Sequence, residues 1–117
     1  MQYILLIDDE QSILNSTKLI LNFRGFKVVS HDNASDGIND IKSNPEKISH
    51  VILDIMLPDM SGSEVLQEVE DIIKEYNIPV IVHSGMRAED IFPKLVNLGA
   101  KHYLIKPYKI DDLLVLL

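Results

Sequence analysis

Residues 5–12 read LLIDDEQS. An apolar run that begins at Tyr3 (YILLI, Tyr3 to Ile7) ends abruptly in three acids, Asp8, Asp9 and Glu10, and the chain then takes up a helical pattern. The run is apolar at every position rather than at every second one. That is what a strand needs when helices cover both faces of its sheet. The acids that follow pose a problem, because neighbouring carboxylates disfavour one another's ionised forms. The cluster therefore implies a compensating positive charge.

Working outward, four more runs of this kind follow: FKVVS (26–30), HVIL (50–53), PVIVH (79–83) and HYLI (102–105). Helical patterns lie between them. Ile13, Leu14, Thr17, Ile20 and Leu21 mark the first, with Gly25 where a C-terminal cap belongs. Ala34, Ile38 and Ile41 mark the second, which stops before Asn44-Pro45 because the residue before proline avoids the helical region. Val65, Leu66, Val69, Ile72, Ile73 and Tyr76 mark the third, opened by Ser61 and Glu64 at capping-box spacing. Leu95, Val96 and Leu98 mark the fourth, ended by Gly99; Pro93 predicts a start near Phe92, with Arg87 to Ile91 as a loop. Leu113, Leu114 and Leu117 begin a fifth, which the chain end cuts off. Strict alternation with right-handed crossovers gives an α/β fold, a doubly wound five-stranded parallel sheet. In such folds the site lies beyond the carboxyl ends of the strands, where the strand order reverses.

Composition narrows the function classes. The 117 residues form one domain by size and contain no cysteine, which excludes disulfides, thiolate catalysis and cysteine-based metal centres. No apolar run approaches the ~20 residues that span a bilayer. The net charge of −7, with no basic cluster, argues against nucleic acid or an acidic membrane surface as a partner of this domain. The cytoplasm is the expected location.

The polar residues that follow the strands converge on one edge. Asp8, Asp9 and Glu10 follow the first strand, Asp54 the third, Ser84 the fourth and Lys106-Pro107 the fifth. Taken singly, an acid at a strand–helix junction is a cap and a lysine is solvated. Together they read as chemistry. Oxygen-only carboxylate donors suit a hard cation such as Mg²⁺, with Mn²⁺ as the alternative. An Asp carboxylate can also attack phosphorus, with a metal, a lysine and a hydroxyl neutralising the phosphoryl oxygens.

The stretches LLIDDE, VILDIMLPDMSG, PVIVHSG and GAKHYLIKPY carry a resemblance. Over its whole length the chain resembles a response-regulator receiver domain of two-component signalling. The resemblance implies a flavodoxin-like (βα)5 fold with strand order 2-1-3-4-5. It implies that Asp54 is the phosphoacceptor and that Asp9 binds Mg²⁺ directly. Asp8 would bind it directly or through water, and the Met56 carbonyl would complete the protein ligands. Lys106 would contact the phosphoryl group, and its bond to Pro107 would be cis. Ser84 would hydrogen-bond a phosphoryl oxygen, and Tyr103 would be the aromatic that turns inward with it. A sensor histidine kinase or phosphotransfer protein would supply the phosphoryl group. The fourth helix, fifth strand and fifth helix would form the switching face, a place for homodimers. The only reactions implied are the domain's own phosphorylation and slow autodephosphorylation.

Further expectations attach to single residues. The resemblance also implies that Met56 and Met86 flank the approach of a hydrolytic water, and a thioether cannot orient or activate that water. His83 ends its strand where aliphatic residues are usual, and reads as a satisfied core residue rather than a ligand. Asp59 reads as solvent-facing. Residues 1–117 are expected to be a single receiver domain, the N-terminal part of a longer regulator. A stand-alone phosphorelay receiver is the alternative. A flavin or nucleotide site would need a phosphate-cradling loop where DDEQS stands. A Mg²⁺-dependent phosphatase of the D-x-D type would need an acid at Met56.

Overall fold

The computed structural model describes residues 1–85 and 87–117. Five parallel strands, β1 (Tyr3–Ile7), β2 (Val28–His31), β3 (Ile48–Asp54), β4 (Val80–Ser84) and β5 (Ala100–Ile105), form one sheet in the order β2-β1-β3-β4-β5. The helices α1 (Gln11–Phe23), α2 (Ala34–Ser43), α3 (Gly62–Glu75), α4 (Ala88–Asn97) and α5 (Ile110–Leu114) alternate with them, and a single 3-10 turn (Pro45–Lys47) precedes β3. This is the flavodoxin-like order, with β1 and β3 adjacent at its reversal point.

Side-chain alternation along each strand divides the core in two. Tyr3, Leu5 and Ile7 of β1 pack with Val51, Leu53, Val80 and Val82 beneath α2, α3 and α4. Ile4 and Leu6 pack with Ile52 and Ile81 beneath Leu14 and Leu21 of α1 and Leu113 of α5. Both faces of β1, β3 and β4 are thus dry, which explains their unbroken apolar runs. Each fully buried side chain of this size contributes about 1.5–3 kcal/mol by leaving water.

Helix ends follow the punctuation of the chain. Gly25 and Gly99 take left-handed φ values of +93° and +112° just past α1 and α4. Ser61 caps α3 in a full capping box with Glu64. Two helices depart from the sequence reading. α4 starts at Ala88 and carries Pro93 inside it, rather than starting near Phe92. The ring removes one backbone donor, but the first turn is held by Arg87, whose Nε donates to Asp90 Oδ2 at 3.2 Å, and by acids at Glu89 and Asp90. Ile91 and Phe92 also pack on the core, which rewards winding those residues into the helix. α5 closes at Leu114, before the last leucine. Among the described residues no helix is long and apolar enough to cross a membrane.

Gly62 anchors the loop that follows β3. Its N–H donates to the Ile55 carbonyl at 2.6 Å, and Met56 and Ser61 form an isolated bridge alongside. A Cβ at residue 62 would stand 2.7 Å from the Ile55 Cα, and backbone cannot step aside as a side chain can. Gly62→Ala should therefore cost about 1–3 kcal/mol in urea unfolding. Ser61→Ala, which loses only the cap, should cost about 1 kcal/mol. An unchanged Gly62→Ala midpoint would show that the loop is free to move.

Candidate functional site

The carboxyl ends of the strands bring the expected residues to one corner. Asp8 follows β1 and is fully buried, Asp54 closes β3 and is 4% exposed, and Ser84 closes β4, also buried. Lys106 arrives from β5, its backbone N–H donating to the Ser84 carbonyl at 2.7 Å, and the Lys106–Pro107 peptide bond is cis. The Lys106 Nζ donates to three carboxylates: Asp8 Oδ2 at 3.0 Å, Glu10 Oε1 at 3.1 Å and Asp54 Oδ2 at 3.1 Å. The second oxygens of Asp8 and Asp54 are also held. The Glu10 N–H donates to Asp8 Oδ1 at 2.9 Å, and the Met56 N–H donates to Asp54 Oδ1 at 3.0 Å.

The electrostatics follow from this one ammonium among the acids. Burial alone would weaken the charge on Lys106, but the hydrogen bonds to Asp8, Asp54 and Glu10 outweigh it and hold its pKa above the ordinary value. Burial holds the Asp8 carboxyl above its ordinary value, against the opposing pull of the Glu10 amide, Lys106 and His83. A buried carboxylate kept charged by a single lysine is an arrangement a second cation would relieve.

Asp8, Glu10 and Asp54 each offer an oxygen within 4.8 Å of the others, a spacing that a metal ion could span. The donor set is oxygen only and anionic, which fits a hard divalent cation. The sequence reading paired Asp8 with Asp9 instead. Asp9 is exposed and stands outside this group.

The other expected residues take these places. The Ser84 side chain lies close enough to Tyr103 to lower its phenol pKa, against the larger upward effect of burial. Tyr103 stands edge-on to Phe92 of α4, ring centroids 5.5 Å apart. The Met56 side chain is 65% exposed at the rim. Met86 lies outside the described residues. Asp59 does not simply face solvent. Its carboxylate accepts from the Ala34 N–H at 2.9 Å and the Ser35 N–H at 3.0 Å, capping α2 from the β3–α3 loop. The Ala34 amide leads in holding its pKa below the ordinary value. His83 is buried as expected but is not satisfied: neither ring nitrogen makes a hydrogen bond.

Residues 4–117 match the family model described as the response regulator receiver domain. The cell cycle response regulator CtrA of Brucella ovis is 33% identical over 111 residues, which cover 95% of this chain and 46% of that one. The chain thus spans about half the length of the curated relatives it matches. Among solved structures, a CheY-like receiver domain protein from Methanospirillum hungatei JF-1 is 34% identical with a TM-score of 0.85, covering 98% of this chain and 89% of its own. A receiver domain protein from Clostridium thermocellum is 31% identical with the same TM-score of 0.85, covering 98% and 90%. With sheet order, acid corner and cross-sheet lysine already in place, these matches establish that the chain belongs to the response regulator receiver domain family, the signalling domain of two-component response regulators.

Proposed function

We propose that Asp54 accepts a phosphoryl group from the phosphohistidine of a sensor histidine kinase or phosphotransfer protein. The observation that carries this reading is the Lys106 Nζ lying 3.1 Å from Asp54 Oδ2, with Asp8 and Glu10 at the same corner. Asp54 Oδ1 accepts from the Met56 amide and Oδ2 from Lys106, and a carboxylate oxygen of Asp54 attacks phosphorus. Its lone pair forms the new P–O bond while the P–N bond breaks, the bonding pair leaving with the imidazole. Lys106 then moves from the carboxylate to the phosphoryl oxygens, and the Ser84 hydroxyl donates to another. A divalent cation, Mg²⁺ or secondarily Mn²⁺, held by Asp8, Asp9, Asp54 and the Met56 carbonyl, with Glu10 at the same corner, would neutralise charge on those oxygens.

The output runs through Ser84 and Tyr103. The nearness of Ser84 to Tyr103 and the contact of Tyr103 with Phe92 tie the acid corner to α4. Ile105, at the end of β5, exposes an apolar side chain, which suits a target or a second copy on the face made by α4, β5 and α5. We read residues 1–117 as one receiver domain of a cytoplasmic regulator, its output residing in further sequence of the kind its longer relatives have.

Intact mass after incubation with acetyl phosphate and Mg²⁺ should show one added phosphoryl group on wild type and none on Asp54→Asn. A labelled Asp54→Asn would assign the phosphoacceptor elsewhere. The Met56 side chain offers no group to position a hydrolytic water. Met56→Asn or Met56→Glu should therefore speed loss of the phosphoryl group by about tenfold. Unchanged lifetimes in both would remove Met56 from that role.

The charge balance gives a pH-dependent prediction. The Asp8 carboxyl is raised in the folded state above its ordinary 3.8. A carboxyl so raised binds its proton more tightly when folded than when unfolded. Stability is therefore lost as pH rises from 3.8 through the folded value. Metal-free Asp8→Asn should melt above wild type at neutral pH, by roughly 4–8 °C per kcal/mol relieved. The gap should close as the pH falls toward about 4. Millimolar Mg²⁺ should raise the wild-type melting temperature and narrow the gap. Equal melting of the two proteins at every pH would show that Asp8 carries no such burden.

A further inference from the structure

Among the described residues, His83 is a fully buried ionisable side chain at this corner that the phosphoryl chemistry leaves without a task. It is 0% exposed and sits in register with Asp54 on β3 and Leu104 on β5. Strand alternation points it, with Ile81, to the α1/α5 face, the face on which Asp8 also lies. Its Nε2 is 3.5 Å from Asp8 Oδ2, the same oxygen that Lys106 holds at 3.0 Å. At that distance it is beyond a formed hydrogen bond, and the Tyr108 ring stands edge-on behind it at 5.7 Å. Its nitrogens lie outside the group of acids that could span a metal ion, so it is not a ligand. A fully buried imidazole with both nitrogens unpaired is costly unless some state of the protein uses it.

The state that would use it is the phosphorylated one. Once Lys106 turns to the phosphoryl oxygens, Asp8 Oδ2 loses its only close side-chain donor while remaining buried. We propose that His83 is a positioning residue that takes over at that moment, its Nε2–H closing on Asp8 Oδ2 and keeping that carboxylate aimed into the acid corner. This rests on the phosphoacceptor reading for its timing, but the exchange of donors on Asp8 is a property of His83, Lys106 and Asp8 alone. Groups that orient a ligand carboxylate in this way typically change metal affinity by about 10–100-fold.

Long-range ¹H–¹⁵N correlation on the full chain tests it. In metal-free wild type His83 should be neutral with its proton on Nε2, and in Lys106→Met, which withdraws the ammonium, that proton should move downfield as the bond forms. Beryllofluoride with Mg²⁺ should produce the same movement in wild type. By calorimetry with beryllofluoride present, His83→Leu should weaken Mg²⁺ binding about tenfold. His83→Gln, which keeps a donor at the Nε2 position, should restore most of it. A proton on Nδ1, an unmoved Nε2 proton in Lys106→Met, or His83→Leu binding Mg²⁺ as wild type does would each overturn the proposal. If wild type takes up no beryllofluoride with Mg²⁺ while the Nε2 proton still moves in Lys106→Met, the phosphoacceptor reading fails and the role of His83 on Asp8 stands.

Discussion

One ammonium group holds three carboxylates that reach it from two strands and a helix N-terminus. Lys106 meets Asp8, Glu10 and Asp54 within 3.1 Å, and the rest of the architecture serves that meeting. The strand order puts β1 beside β3, so Asp8 and Asp54 end neighbouring strands. β5 lies two places from β3, roughly 10 Å away at the usual strand spacing. The lysine must therefore cross the end of β4, and its backbone is fastened there through the Ser84 carbonyl. The dry core beneath gives the arrangement its force. Coulomb attraction grows as water is excluded, and so does the cost of leaving any partner uncompensated.

The fold was legible because its determinants are local. β1 runs over the very residues of YILLI, and the cap of α3 is written in Ser61 and Glu64. Pro93 misled because a penalty for one missing donor was weighed without the core contacts of Ile91 and Phe92, which only the tertiary fold supplies. The site was legible in kind. Asp54, Ser84 and Lys106 were picked out by their places after strands, and the structure brings them to one corner. That Glu10 joins them there through Lys106 is a contact across the sheet with no local signal. Asp59 and His83 had no local signal: Asp59 caps a helix 25 residues upstream, and the environment of His83 is built by β1, β4 and the segment after β5.

The sheet edge also explains how a change in charge can become a change in shape. Strand parity sends Asp8, His83 and Lys106 toward the α1/α5 face, and sends Ser84 and Tyr103 toward the face of α2, α3 and α4. The ion network and the hydroxyl–aromatic pair thus lie on opposite sides of the same strands and touch only at their carboxyl ends. A phosphoryl group on Asp54 would sit at that junction, in reach of Lys106 from one side and Ser84 from the other. Drawing Lys106 away from Asp8 disturbs the first face, and drawing Ser84 away from Tyr103 disturbs the second. The first disturbance is confined, since a buried imidazole stands ready beside Asp8. The second is not: Tyr103 is only partly buried and leans on Phe92 of α4, a helix with a backbone donor missing at Pro93. On the proposed reading, this asymmetry between the two faces would direct the response outward through α4 and β5 rather than back through α1.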